Sequence, residues 1–524
     1  MIAVRNGFIL SALAAAGLLL SPALQAQEPA LLGTPAEEAR EDARGDRWDI
    51  TVARAVGSEV DFVIDEGTWM QVDVSPDGRE IVFDMLGAIY LMPIQGGEAR
   101  RLTQVGHQYD SQPRWSPDGR RIAFVSDRDG LENIWVMDRD GQNLRKITRE
   151  RERQAKAPVW TPDGEYIIAR KHFRHRRSLG AGEMWMWHVE GGGGGLQLTD
   201  RPNWEQNSTD PEVSPDGRYL FYTEDVAPGG GFQYNRDPHG LVYAIFRLDL
   251  ETGDRQRFLS APGGQVRPQI SPDGNTLAFV RRIDDRSVLM LHDMESGRER
   301  ALWDGLDHDQ QEAWAIFGVY PGFSWTPDGG DIVIWAGGKI NRVSVANGSV
   351  SQIPFQARVQ HQLTEAVRAP IEVHPDEFDV RMLRWATVSP NGNQVVYSAL
   401  GRLYVKDLPN GEPRRLTRQN DHWELHPSWS PDGRTIAYAT WSDEEMGAIR
   451  TIGVNGRNAR TVVSAPGHYV EPTFSPDGGS IAYRRVSGDR LRGALYSRDT
   501  GVYEVSARGG EPRLVTDSGA EPRY

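Results

Sequence analysis

The 524-residue chain contains no cysteine, so disulfide staples and thiolate or zinc–cysteine chemistry are excluded, and packing alone must hold the fold. It is short of positive charge. Its 59 Lys and Arg face 73 Asp and Glu, a net charge of −14, which argues against a general nucleic-acid or anionic-membrane binder. Beyond the N-terminus no apolar run reaches the roughly 18 residues that a membrane-spanning helix needs. No His-x-His pair occurs, and the nearest approach to Gly-x-Ser-x-Gly, Gly322-Phe-Ser324-Trp-Thr326, lacks its last glycine. Neither a metal-hydrolase ligand pair nor the nucleophile elbow of a serine hydrolase is written in the chain.

The N-terminus carries one positive charge at Arg5, an apolar run from Phe8 to Leu20, and a small-residue ending, Ala23-Leu24-Gln25-Ala26. Residues 1–26 read as a secretory signal peptide cleaved after Ala26, which implies a periplasmic or secreted protein. Residues 27–46, rich in Ala, Glu, Arg and Pro, read as a flexible acidic linker.

What the chain has in abundance is one tetrapeptide. [ST]-P-[DN]-G begins at Ser75, Ser116, Thr161, Ser214, Ser271, Thr326, Ser389, Ser430 and Ser475, at spacings of 41, 45, 53, 57, 55, 63, 41 and 45. A period near 40 to 45 is that of one four-stranded propeller blade, with insertions in the middle copies. Proline presets φ at the second position of a type I turn, Ser and Asp bond to nearby backbone, and Gly accepts positive φ, so each copy specifies a hairpin. An apolar residue precedes each turn (Trp115, Trp160, Trp429), and β-rich runs follow, such as Ile122-Ala-Phe-Val125 and Ile134-Trp-Val136, with a last run ending in an apolar residue and Thr (Leu102-Thr103, Ile147-Thr148). Nine copies of one tetrapeptide cannot all be active sites, so their Ser and Asp are read as turn chemistry.

Nine motifs exceed the four to eight blades of a closed propeller. The expected architecture is all-β: a six-bladed ring over residues 47–357, with a strand from Trp48–Ile64 closing it, then a second, incomplete propeller over 358–524. Pro stands three residues before the Ser/Thr in six copies, and the ending Glu521-Pro522-Arg523-Tyr524 repeats the approach Gln112-Pro113-Arg114-Trp115. The chain therefore reads as a truncated product whose tenth turn is missing.

The stretch W-S-P-D-G-x-x-I-A-F-x-S-D-R-D-G-x-x-x-I-W-V-M at 115–137 resembles the TolB-type propeller repeat. Segments 70–103, 311–329, 382–392 and 400–417 together are similar to the N-terminal propeller region of exported bacterial amidohydrolases, where such repeats precede a metal-dependent hydrolase barrel. The resemblance implies the non-catalytic half of such a hydrolase, gating peptide-like substrates or docking the hydrolase domain. On that reading the chain needs no cofactor, and a divalent metal would belong only to a downstream barrel. The alternatives are a stand-alone envelope scaffold resembling TolB, which would bind envelope proteins, and the propeller of a prolyl-oligopeptidase-like serine peptidase. No catalytic or metal residue is assigned.

Candidate binding residues come from the position before each approach Pro, which begins the innermost strand at the mouth of the channel: Gln112, Asp210, Arg267, His426 and Glu471, with Ala157 and Glu521 at the same place. Two other clusters are set aside. His422-Trp-Glu-Leu-His426 has the four-residue spacing of a helical zinc site but runs into a strand, so it reads as a loop carrying His. Arg170-Lys-His-Phe-Arg-His-Arg-Arg177 reads as a solvated loop.

Overall fold

The computed structural model describes residues 57–517 apart from 175–179, 192, 202, 229–235, 314–316, 366–368, 370 and 487–498. The signal-peptide and linker segments, and the Glu521–Tyr524 ending, lie outside the described residues. No described helix is long and apolar enough to cross a membrane. Strands dominate, grouped in nine antiparallel sheets over 72–101, 110–146, 154–197, 208–259, 266–303, 324–353, 384–415, 423–463 and 468–516. Eight are four-stranded, and the first gains two strands at its outer edge. This is an all-β propeller fold.

The strand alternation explains why the second strand of a blade is apolar throughout. In Arg121–Ser126, Ile122 and Phe124 join Val82, Ile89 and Leu91 of the first sheet, whereas Ala123 and Val125 join Ala155, Trp160 and Ile167 of the third. With period two, one face packs on the preceding blade and the other on the following one, so both must be buried. Phe124 is completely buried, and truncation to Ala at such a site costs about 3–5 kcal/mol.

Each S-P-D-G turn forms as its chemistry dictates. The Gly78 N–H donates to the Ser75 carbonyl (2.8 Å), the Ser75 hydroxyl to Asp77 Oδ1 (2.6 Å), and the Glu80 N–H to Ser75 Oγ (2.9 Å). Gly78 adopts φ +69°. The same bonds recur at Ser116, Ser430 and Ser475. The hydroxyl donor holds Asp77 and Asp432 below the usual carboxylate range. The closing Thr is also structural: Thr103, Thr148 and Thr199 accept the N–H of Ile89, Ile134 and Met184 from the third strand of the same sheet.

The turns also join blade to blade. A Cβ placed on Gly119 would stand 3.6 Å from Pro76 Cδ of the preceding turn, and one on Gly433 would stand 3.6 Å from Pro390 Cδ. The tryptophan before the turn supplies a second tie: the indoles of Trp160, Trp325 and Trp429 donate to the carbonyls of Arg114, Gln269 and Thr387 in the preceding blade, at 3.1, 3.0 and 2.9 Å.

Closure happens between the sixth and first sheets. A Cβ on Gly78 would stand 3.4 Å from Pro327 of the sixth turn, and the Val72 N–H donates to the Gly322 carbonyl (3.1 Å). Upstream, the Trp335 indole donates to the Gly67 carbonyl (2.7 Å), and the Gly67 N–H to Gly338 (2.9 Å). By contrast, a Cβ on Gly392 in the seventh turn would have nothing within 4 Å. The ring therefore closes on its own first blade.

Three expectations change. The strand Gly57–Ile64 does not close the ring; it pairs antiparallel with Phe355–Thr364, which in turn pairs parallel with the outer edge of the first sheet along Gly97–Ala99. The inner edge is already bonded to the sixth blade through Val72 and Gly322, so the added strand pair takes the free outer edge. The boundary expected at 357/358 falls inside Phe355–Thr364, a single strand of the first sheet. The run Arg170–His172 is not a solvated loop either. These residues lie buried in the strand Tyr166–Arg174, where Lys171 Nζ pairs with Glu150 (2.7 Å) and lies 4.0 Å over the Trp185 ring. Such partners compensate the desolvation that otherwise keeps charge outside.

Candidate functional site

The position four residues before each turn is built the same way in seven sheets. Gln112, Ala157, Asp210, Arg267, Trp385, His426 and Glu471 all have positive φ, between 49° and 58°. Each lies where the register of its first strand shifts, so each is a β-bulge residue. A non-glycine residue in that region costs on the order of 1–2 kcal/mol. In six of the seven the next residue is proline, which has no N–H to lose where the ladder is interrupted.

At three of these bulges, Gln112, Ala157 and Arg267, the residue's own N–H meets a side-chain acceptor of the preceding blade. Asp84 Oδ2 accepts from Gln112 N (2.7 Å), and Thr223 Oγ1 from Arg267 N (3.0 Å). Both acceptors sit nine residues after the Ser of their own turn. Where that position is valine, as at Val125 and Val280, an inward glutamine substitutes: Gln112 Oε1 accepts from Ala157 N (2.8 Å) and Gln71 Oε1 from Gly322 N. Unmet buried N–H groups are thereby avoided.

Two tiers of side chains line the first ring's axis. In the outer tier Arg267 Nη1 bonds Asp210 Oδ1 (2.7 Å) and Nη2 bonds Gln71 Oε1 (2.9 Å), all of them buried. Gln71 and Gln112 each donate to the Phe317 carbonyl, at 3.4 and 3.2 Å, and the Phe317 ring lies 4.0 Å from Lys156 Nζ. The inner tier, two residues before each turn, holds Asp73, Arg114, Glu212, Gln269 and Ser324. Arg114 pairs with Glu212 at 2.8 Å, and Gln269 donates to the same carboxylate at 2.9 Å. Between the tiers a cavity of about 10 Å³, lined by Gln71, Gln112, Arg114 and Arg267, leaves room for about one water molecule.

Burial dominates the electrostatics. It lifts the Asp84 carboxyl to about 7 against two backbone N–H donors, and it raises Asp73 and Glu212 against the attraction of Arg114. Burial opposes the Arg114 charge, but Asp73 and Glu212 outweigh it. The polar groups of the outer tier are bonded to one another and to the backbone of Phe317, Ala157 and Gly322. Among the described residues no group of His, Asp and Glu is placed to hold a metal ion.

Of the residues singled out from sequence, Gln112, Asp210 and Arg267 meet on this axis; His426 and Glu471 belong to the eighth and ninth sheets and do not join them. His426 lies 4.2 Å from the Trp385 ring, and burial lowers its pKa to about 4. Glu471 bonds Arg484 at 2.6 Å. His422 and His426 sit before and within the strand Trp423–Trp429, without a helix. Glu521 lies outside the described residues. Gln71, Gly322, Trp385 and the inner tier are not followed by proline and so carry no such mark in the sequence; their constant distance from each turn is the signal that locates them.

Residues 68–229 match the model of the Tricorn protease N-terminal beta propeller domain. Two curated proteins also match. One is the "Uncharacterized peptidase YuxL" of Bacillus subtilis, 29% identical over 233 residues, which are 44% of this chain and 29% of that protein. The other is "Dipeptidyl-peptidase 5" of Porphyromonas endodontalis, 23% identical over 271 residues, which are 44% of this chain and 36% of that protein. The chain spans about a third of the length of these relatives. A solved tricorn protease aligns over 84% of this chain and 49% of its own, at 14% identity and a TM-score of 0.40. The chain is similar to Tricorn-type and TolB-type propellers, and distantly to peptidases. Neither curated relative is an amidohydrolase, so the expected likeness to amidohydrolase propellers gives way to a peptidase likeness.

Proposed function

We propose that this chain is the exported, non-catalytic propeller of a peptidase of the prolyl-oligopeptidase-like kind, and that its first ring admits and orients peptide substrates. The observation that carries this reading is the match to a named peptidase over 233 residues. The axis of the ring supports it: Arg267, Asp210, Gln71 and Gln112 line it, bonded to one another and to the Phe317 carbonyl, and the ends of a peptide can take over those bonds where Phe317 moves aside. Such groups suit the charged ends and amides of a short peptide. Export rests on the N-terminal signal sequence.

The test is a stopped-flow binding measurement with a fluorescent tetrapeptide on the 524-residue chain and on Phe317→Ala. The wild-type chain binds without cleaving the peptide, and Phe317→Ala speeds association several-fold. A wild-type chain that ignores peptides but retains a folded envelope protein overturns the reading in favour of an interaction scaffold, and cleavage by the chain itself overturns the non-catalytic assignment.

A further inference from the structure

A second pocket, of about 430 Å³, opens on the eighth sheet, away from the axis of the first ring. It is built by the hairpin of Thr435–Ser442 and Met446–Gly453, by the strand Arg460–Val463, and by His422 from the connection that enters the sheet. Register fixes which side chains share its wall. Thr440 pairs with Ala448, Ser442 with Met446, Tyr438 with Arg450, and Arg450 with Thr461. Cross-strand partners lie on one face of a sheet, so Thr440, Ser442, Arg450 and Thr461 stand together. Toward the turn this face is apolar: Ile436, Tyr438 and Ile452 pack on Leu403 and Val405 of the seventh sheet. The polar pocket is the other end of the same surface.

Two polar atoms in this wall have no hydrogen-bond partner among the described residues. Arg450 Nε and His422 Nε2 are both buried and make no hydrogen bond. The neighbouring acids and bases are already committed. Glu424 accepts from Leu403 N, Thr417 and Gln419 at 2.8, 2.7 and 2.6 Å, and Arg402 donates to the His422 carbonyl at 2.6 Å. The His422 backbone is held again by the Gln419 side chain at 3.0 Å, and the residue lines the pocket. A buried donor without a protein partner is costly, and such groups mark places where something from outside completes the bond.

We infer that this pocket binds a small carboxylate, received by the Arg450 guanidinium and the His422 ring, with the hydroxyls of Thr440, Ser442 and Thr461 bonding the ligand's polar body. The charge inventory favours a carboxylate over a phosphate. Arg450 supplies one positive charge and Glu445 one negative charge among the lining residues, so the wall suits a monoanion better than a dianion. Arginine matches a carboxylate through two parallel N–H bonds. The inference stands on the eighth sheet alone and does not depend on the peptide reading of the first ring.

The experiment is isothermal titration of the full chain with N-acetyl-Ala-Ala, with its C-terminal amide, and with inorganic phosphate. N-acetyl-Ala-Ala binds, the amide binds about tenfold or more weakly, and Arg450→Gln loses about tenfold or more for the acid. Arg450→Lys gives an intermediate loss because the charge remains and the fork does not. His422→Phe, which keeps the ring's bulk at a half-exposed site, also weakens the acid, and an unchanged melting curve shows that the variants fold. Equal affinity for acid and amide, tighter binding of phosphate, or retention of full affinity by both Arg450→Gln and His422→Phe each overturns the assignment.

Discussion

Arg267 bridges two blades at the axis of the first ring, its Nη1 2.7 Å from Asp210 Oδ1 and its Nη2 2.9 Å from Gln71 Oε1. Both charged partners are buried, so the pair is worth less than its Coulomb attraction suggests, while breaking it from one side is expensive. Arg267→Met is expected to destabilise the chain by about 3–5 kcal/mol, because the Asp210 carboxylate is then left uncompensated. Urea unfolding followed by tryptophan fluorescence measures this. The double variant Arg267→Met with Asp210→Asn recovers much of the loss, and a double variant as unstable as the single one refutes the account.

Asp84 gives the first ring a pH dependence of known sign. Its carboxyl is raised from 3.8 to about 7 by burial, so between those values the folded chain holds a proton that the unfolded chain has lost. Stability from this group is fully present below about pH 4 and falls as pH rises toward 7. Carbon-13 NMR titration of the Asp84 carboxyl is expected to show a midpoint near 7, and a midpoint below 5 rejects the prediction. Asp84→Asn removes this slope, although it also loses one of the two N–H bonds from Gln71 and Gln112.

His426 acts in the opposite direction. Burial lowers its pKa from 6.5 to about 4, so in this window the unfolded chain takes up a proton that the folded chain refuses. Stability is full above about pH 6.5 and declines as pH falls to 4. His426→Phe keeps the ring against Trp385 and is expected to flatten this acid limb in denaturant titrations at several pH values. An unchanged acid limb means that other groups set it.

Ring closure predicts a difference between two glycines of equal backbone conformation. Gly78 and Gly392 have φ of +69° and +76°, but only at Gly78 would a Cβ meet the proline of another turn, 3.4 Å from Pro327 Cδ. Gly392→Ala is expected to cost the left-handed strain alone, on the order of 1–2 kcal/mol. Gly78→Ala carries the same strain but gains ordinary van der Waals contact with Pro327, so it costs less by a few tenths of a kcal/mol. Equal thermal shifts for the two variants contradict closure through this contact.

The sequence by itself determined the turn, the strand order within a blade and the blade phase, because the bonds that specify them lie within a few residues. Ser75 reaches Asp77 and Glu80, two and five positions away, and the same local chemistry acts nine times over. The candidate positions Gln112, Asp210 and Arg267 were legible for the same reason, through the proline that follows each bulge. Tertiary structure alone decided where the ring closes, which blade receives the strand Gly57–Ile64, and which acceptor serves each bulged N–H. It also decided that Arg170 to His172 go inside and that Arg450 and His422 face one pocket. Those choices depend on pairs far apart in the chain, such as Arg267 with Gln71, separated by 196 residues, and Gly322 with Gln71, separated by 251. Local propensity carries no information about such pairs; burial, and the need to give every buried charge and N–H a partner, selects them.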